Sequence, residues 1–220
     1  MPEITLNGPD GRLEGRYHHA KSPNPPIALV LHPHPQHGGN MNNRLTFMMY
    51  QNFVRRGFSV LRFNFRGVGR SQAQFDNGQG ELSDAAACLD WMQVTNPNAT
   101  QCWIAGFSFG AWIGMQLMMR RPEISGFISV AVPANMHDFS FLAPCPASGL
   151  IVHGNVDDVV PLASVDKLAQ KLSNQKNIEI DYRVVEGAGH LFRNHLDPLN
   201  GHIDEYLDMR LEGLSLEDQL

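Results

Sequence analysis

The amino-acid sequence predicts one α/β domain across residues 1–220, built on a mostly parallel, doubly wound sheet of about 7–8 strands. Three observations predict it. Continuous apolar runs such as Ile27-Ala28-Leu29-Val30-Leu31 and Cys102-Trp103-Ile104-Ala105 read as strands buried on both faces, the mark of a parallel sheet. These runs alternate with segments of helical periodicity, which supply the crossovers that parallel strands need. One alternation is unusually tight. The run ending at Ala105 passes through Gly106-Phe107-Ser108-Phe109-Gly110 straight into the helix-like segment Ala111 to Met119. That is a strand, a sharp turn with a serine at its tip, and a helix.

The elements follow in order. Ile4 to Leu6 and Leu13 to His18, joined by Asn7-Gly8-Pro9-Asp10-Gly11, read as a hairpin. Strand 27–31 precedes a helix from Leu45 to Arg56, which Gly57 caps. Phe58 to Phe65 is the next strand. Glu81 to Met92 is helical, with Leu82, Ala85, Ala86, Leu89 and Trp91-Met92 as its apolar face. Strand 102–107 and a helix over 111–120 lead to strands at Gly126 to Val132 and Leu150 to Val152. Ala163 to Leu172 is a helix, Ile178 to Val185 a strand, and a last helix runs from about Leu199 to Arg210, with a polar, frayed tail after Leu211. No insertion is long enough for a cap domain. The one candidate stretch, Ala134 to Ala147, is a short loop. Its Met136, Phe139, Phe141 and Leu142 either line an acyl pocket or plug the end of the core.

Composition excludes some classes of partner. The net charge is −5 and no basic run is present, so neither nucleic acid nor an anionic membrane is expected. The longest apolar stretches are strand-length, well short of the roughly 20 residues that span a bilayer. Met1-Pro2-Glu3-Ile4-Thr5 carries no basic-then-apolar signal pattern, and a cytoplasmic location is the expectation. Cys88, Cys102 and Cys145 are odd in number and lack metal-like spacing; Cys88 and Cys102 read as core thiols. Homo-oligomerisation is left open, since the Met48-Met49 and Met118-Met119 pairs suit core or contact surface.

A serine hydroxyl at neutral pH needs a base within hydrogen-bond reach, and that base needs an orienting carboxylate. In a doubly wound sheet such groups sit at the carboxyl ends of strands. His190, in Glu186-Gly187-Ala188-Gly189-His190, follows the 178–185 strand. His153 lies close to the candidate acid, and His195 and His202 fall in or near the last helix. Asp157 follows the 150–152 strand. Its neighbour Asp158 is the second candidate, and whichever of the two does not serve His190 is expected to cap the helix near Pro161.

With these residues in view, nearly the whole chain resembles the α/β-hydrolase superfamily. The elbow at Ser108 is joined by Arg66-Gly67-Val68-Gly69-Arg70-Ser71, similar to the turn after the fourth strand in many members. His153-Gly154-x-x-Asp157-x-x-Val160-Pro161 resembles the acid loop, and Gly189-His190 the base loop. His32-Pro33-His34-Pro35 with Gly38-Gly39 and Asn43, and Phe75 to Glu81, resemble a group of small bacterial hydrolases without lids. The resemblance implies Ser108 as nucleophile, Asp157 as acid and His190 as base, in the superfamily's Ser, Asp, His order. It implies an oxyanion hole of Phe109 N–H and a second donor from the loop after strand 27–31. Pro33 and Pro35 have no N–H, leaving His32, His34 and Gln36. The superfamily takes this donor two positions after the histidine of a His-Gly pair. Here Pro33 replaces that glycine, and the position is His34.

The expected activity is hydrolysis of small or short-chain carboxylic esters through an acyl-enzyme, with a small-molecule substrate and neither cofactor nor metal. Phe107, Met136 and Phe139 are the candidate pocket residues. An amidase or small peptidase with the same machinery is the alternative, and a non-catalytic binding protein the second. A haloalkane dehalogenase would need Asp at position 108, and a dienelactone-type hydrolase Cys. His32, His34 and His37 read as a loop rather than a metal cluster, because prolines alternate with them and no carboxylate or cysteine is near. Arg66 reads as a brace for the Gly67–Gly69 turn, with contact to a substrate carboxylate as the alternative, Glu81 as a helix-start charge or loop anchor, and Trp91, Trp103 and Trp112 as packing.

Overall fold

In the computed structural model, which describes residues 3–217, the chain alternates strands and helices as the sequence predicts. β1 (Glu3–Gly8) and β2 (Gly11–His18) form the hairpin. There follow β3 (Ile27–Leu31), α1 (Arg44–Arg55), β4 (Ser59–Phe63), α2 (Gln79–Thr95), β5 (Cys102–Phe107) and α3 (Phe109–Met118). β6 (Ile124–Val130), β7 (Gly149–Gly154), α4 (Leu162–Ser173), β8 (Ile180–Val185) and α5 (Leu196–Glu217) complete the described chain. Among the described residues eight strands make one sheet in the order β1-β2-β4-β3-β5-β6-β7-β8. β2 pairs antiparallel with β1 and β4; from β4 onward all neighbours are parallel.

The apolar runs are continuous because both faces of the sheet are covered. Ile27, Leu29 and Leu31 of β3 face the core layer beneath α2, α3 and α4, while Ala28 and Val30 face the layer beneath α1 and α5. The two layers are thus filled by alternate residues of one strand, as the pleat requires. α1 ends on a Schellman pair, Gly57 N–H to Val54 O and Phe58 N–H to Phe53 O, which satisfies its last carbonyls.

The last helix is longer than expected at both ends. It starts at Leu196 because Pro198 falls in the first turn, where a missing N–H costs nothing. The tail expected after Leu211 continues as helix to Glu217, and residues 218–220, like 1 and 2, lie outside the described residues. A 3-10 turn at Pro35–His37 follows β3 and has no counterpart in the sequence reading. No helix among the described residues is long and apolar enough to cross a membrane.

The strand order reverses at β3, whose neighbours β4 and β5 both follow it in the chain. At such a switch point the loops leaving the strand ends diverge and open a crevice. The loops after β3, β5, β6, β7 and β8 carry the site.

Candidate active site

Ser108 sits between β5 and α3 with φ 54° and ψ −115°, a conformation that costs a non-glycine residue about 1–3 kcal/mol. The turn holds because its surroundings leave no slack. Ser108 N–H bonds Val130 O at 2.9 Å, and Ser108 O accepts from Ala111 N–H at 2.9 Å, starting the helix. A Cβ on Gly106 would stand 2.4 Å from the Gly110 carbonyl carbon, and one on Gly110 2.4 Å from Leu31 O. Both positions therefore require glycine for close backbone approach. α3 starts at Phe109, two residues earlier than the sequence periodicity indicates, so Phe109 N–H is the first of the helix and has no intrahelical acceptor.

Ser108 Oγ lies 3.1 Å from His190 Nε2, and His190 Nδ1 lies 2.8 Å from Asp157 Oδ2. An ionised carboxylate only accepts, so the Nδ1 proton points to Asp157 and the Nε2 lone pair faces the serine hydroxyl. Asp157 Oδ1 accepts from Val159 N–H and Val160 N–H, each at 2.8 Å. Burial pushes the Asp157 carboxyl up, but the bonds to His190, Val160 and Val159 outweigh it and hold the group below its ordinary value. The acid and base loops are stitched together: Val156 N–H bonds Ala188 O at 3.1 Å, and Gly187 N–H bonds Asn155 Oδ1 at 2.7 Å.

His153 is fully buried, with Nε2–H donating to Val160 O at 2.9 Å and 3.7 Å from Asp157 Oδ2. It buttresses the acid loop and does not reach Ser108. Asp158 is exposed, and α4 begins at Leu162 with Pro161 before it and no side-chain cap, so the expected capping role of Asp158 is not what the structure has. The carboxylate that binds loop N–H groups here is Asp157 itself.

Above the serine lies a cleft of about 300 Å³ lined by apolar and imidazole groups and by Asn43, with Phe107, Phe109, Pro133, Met136, Val159 and Leu191 among the apolar ones. Asp, Glu, Lys and Arg are absent from its described lining. His34 lines the cleft with its ring 5.0 Å from that of Phe109 and 4.3 Å from that of His37. Burial, then His37 and His137, lower the His34 pKa, which favours the neutral ring.

Comparison with known proteins fits this geometry. The family described as serine aminopeptidase, S33, matches residues 34–148, just over half of the chain. An uncharacterised protein of Rickettsia prowazekii is 54% identical over 211 residues, or 94% of this chain and 89% of that one. A solved α/β-hydrolase of unknown function from Agrobacterium tumefaciens superposes with a TM-score of 0.95 at 57% identity, over 96% of this chain and 97% of that one. The chain belongs to the α/β-hydrolase family. A serine hydrolase without a lid from Xanthomonas campestris superposes with a TM-score of 0.84 at 31% identity, covering 93% of this chain and 92% of the other.

The loop after β6 divides its residues in this α/β-hydrolase. Met136 is 55% exposed and lines the cleft, whereas Phe139 is 6% exposed, stacks near Phe141 and belongs to the core. Phe139 is therefore removed from the expected pocket, because the loop turns its ring down into the α2–α4 layer. His137, not singled out from sequence, lines the cleft and stacks on Trp112 at 3.8 Å, tying the loop to α3. A lone polar residue in a loop carries no signal for such a stack.

The polar groups around the site are braces. Arg66 donates from Nε and a terminal nitrogen to both Asp84 oxygens at 3.0 and 2.8 Å, and to Asp10 at 2.8 Å. The residue is 4% exposed and its pKa is raised, led by the Asp84 bond. Glu81 accepts from Gly78 N–H at 2.7 Å and Asp76 N–H at 3.0 Å, closing the turn before α2. His34 Nδ1 accepts from Gln36 N–H at 3.2 Å, and both His32 nitrogens are held by backbone.

Proposed function

We propose that this α/β-hydrolase cleaves small or short-chain carboxylic esters. The observation that carries the reading is the hydrogen-bonded chain Asp157–His190–Ser108 at the floor of an open cleft whose described lining has no Asp, Glu, Lys or Arg. Ser108 Oγ attacks the acyl carbon as its proton passes to His190 Nε2. The imidazolium formed is stabilised by Asp157, which also fixes its tautomer. Phe109 N–H and His34 N–H hold the oxyanion of the tetrahedral intermediate; removing one such donor typically costs about 2.7–4 kcal/mol. Collapse expels the alcohol, protonated by His190 Nε2–H, and leaves the acyl group on Ser108. Water, deprotonated by His190, then repeats the sequence and releases the acid.

The family's description raises an aminopeptidase reading. A free α-amino group needs an anionic anchor; Asp158 lines an adjoining pocket that shares Val159, His190 and Leu191, but no carboxylate lines the described cleft over Ser108 itself. That absence favours an uncharged acyl group and an ester.

The test is labelling by a fluorophosphonate probe together with turnover of a p-nitrophenyl ester series from acetate upward and of matched amino-acid p-nitroanilides. Labelling at Ser108 and preference for short esters support the reading. Wild-type turnover in Ser108→Ala, or faster cleavage of the anilides, sinks it.

A further inference from the structure

His32 is fully buried at the end of β3, and both its ring nitrogens are engaged. Phe65 N–H donates to Nε2 at 3.0 Å, so Nε2 carries a lone pair and the ring proton sits on Nδ1. Nδ1–H donates to the Pro33 carbonyl at 2.6 Å. That carbonyl shares a peptide unit with His34 N–H. A peptide unit is planar and trans, so its C=O and N–H point in opposite directions. The ring of Pro33 fixes its own φ, which leaves one soft torsion, the Pro33 ψ, to set where this unit points. A side chain that grips the Pro33 oxygen therefore aims the His34 N–H.

The surroundings hold the same orientation. The backbone of Gly39 lies so close that a Cβ there would stand 2.1 Å from the Pro33 oxygen. His37 N–H and Gly39 N–H both bond His34 O, at 3.1 and 3.0 Å, fixing the next peptide unit. The segment also runs directly against the serine turn. A Cβ on Gly110 would stand 2.6 Å from the His32 carbonyl oxygen, and the His34 ring packs on that of Phe109.

We propose that His32 is a positioning residue for the oxyanion hole: its Nδ1 proton locks the Pro33–His34 peptide plane so that His34 N–H faces the reacting carbonyl oxygen. The proposal rests on Ser108 as nucleophile and His34 N–H as donor. Phe65 is part of the device, because its N–H selects the only neutral tautomer that can grip Pro33. Burial supports it by keeping the ring neutral, with its pKa lowered to about 4.

A double-mutant cycle tests it. His32→Phe keeps the ring and removes the grip. His34→Pro removes the N–H at a position whose φ of −51° already suits proline. Each single variant is expected to lower kcat for a short p-nitrophenyl ester by roughly 10²-fold with KM within about threefold, and the double variant to lose no more than either single one. His32→Asn, whose amide can donate to the same oxygen, should recover at least about tenfold over His32→Phe. A pure packing role for His32 predicts instead a loss of stability with kcat retained, or losses that multiply in the double variant, and either outcome overturns the proposal. Should His32→Phe fail to fold, the wild-type protein still decides: ¹⁵N NMR must find His32 protonated on Nδ1, and an Nε2–H tautomer overturns the proposal. Absence of Ser108 labelling in the wild type would instead sink the hydrolase reading on which the cycle depends.

Discussion

Asp157 grips His190 with one carboxylate oxygen and its own loop with the other. Oδ2 lies 2.8 Å from His190 Nδ1, while Oδ1 takes the N–H groups of Val159 and Val160. The division fixes the carboxylate plane, and through it the imidazole. Asp157→Asn keeps the shape but can present an N–H to Nδ1, which favours the wrong tautomer. A fall of roughly 10⁴-fold in kcat is expected, against less than about twofold for the exposed Asp158→Asn, in steady-state ester hydrolysis.

Ser108 pays in stability for its place on the turn. Its φ of 54° suits glycine better, so Ser108→Gly is expected to abolish turnover and to stabilise the fold by about 1 kcal/mol, the strain relieved less the entropy of an added glycine. Urea unfolding monitored by circular dichroism reads it; a destabilised variant would show that the turn is not strained.

Met136 and Phe139 separate cleft from core. Met136→Ala should shift the ester chain-length profile with stability changed by less than about 0.5 kcal/mol, as expected of an exposed side chain. Phe139→Ala should cost about 3–5 kcal/mol of stability and leave the profile in place. Equal profiles for Met136→Ala and wild type would remove Met136 from the pocket.

Arg66 and Asp84 are 4% and 1% exposed and satisfy each other. Asp84→Ala leaves a buried guanidinium with only Asp10 and should destabilise by roughly 3–5 kcal/mol, whereas Arg66→Met with Asp84→Leu should cost much less. KM of the double variant should stay near wild type; a large rise would mean that Arg66 contacts substrate.

His32 makes stability depend on pH. Its folded pKa, about 4, lies below the unfolded value near 6.5, so between these values the unfolded chain binds more protons. The stability it contributes is complete above about pH 6.5 and is lost as pH falls toward 4, by about 3 kcal/mol in all. Urea unfolding at pH 7 and 4.5 should show this slope in wild type and a shallower one in His32→Asn, where His153, also lowered, still titrates.

The elements and the serine turn were legible because they are local. Ile27–Leu31 and Cys102–Phe107 advertise strands by apolar continuity, and Gly106 and Gly110 mark where backbones must touch. Asp157 and His190 were legible as strand-end residues within a resemblance, and the structure brings them together across 33 positions of sequence. Only the capping role expected of Asp158 was misplaced, because sequence does not show that this residue of the loop is turned out to solvent. Phe139 was misplaced because an aperiodic loop hides the direction of its side chains. Arg66 was legible as a brace, but its partners Asp10 and Asp84, like the stack of His137 on Trp112, were not, since these contacts join distant segments.

What the residues determined alone is the order of strands and helices, the strained turn at Ser108 and the sheet that carries both. Those follow from short-range sterics and from the periodicity of apolar side chains. Only the tertiary structure decided how Asp157 divides its two oxygens between His190 and its own loop, which loop residues face the cleft, and that the buried ring of His32 holds the Pro33 carbonyl. These are relations between side chains and backbone groups whose directions are set by packing, and packing is a property of the folded whole.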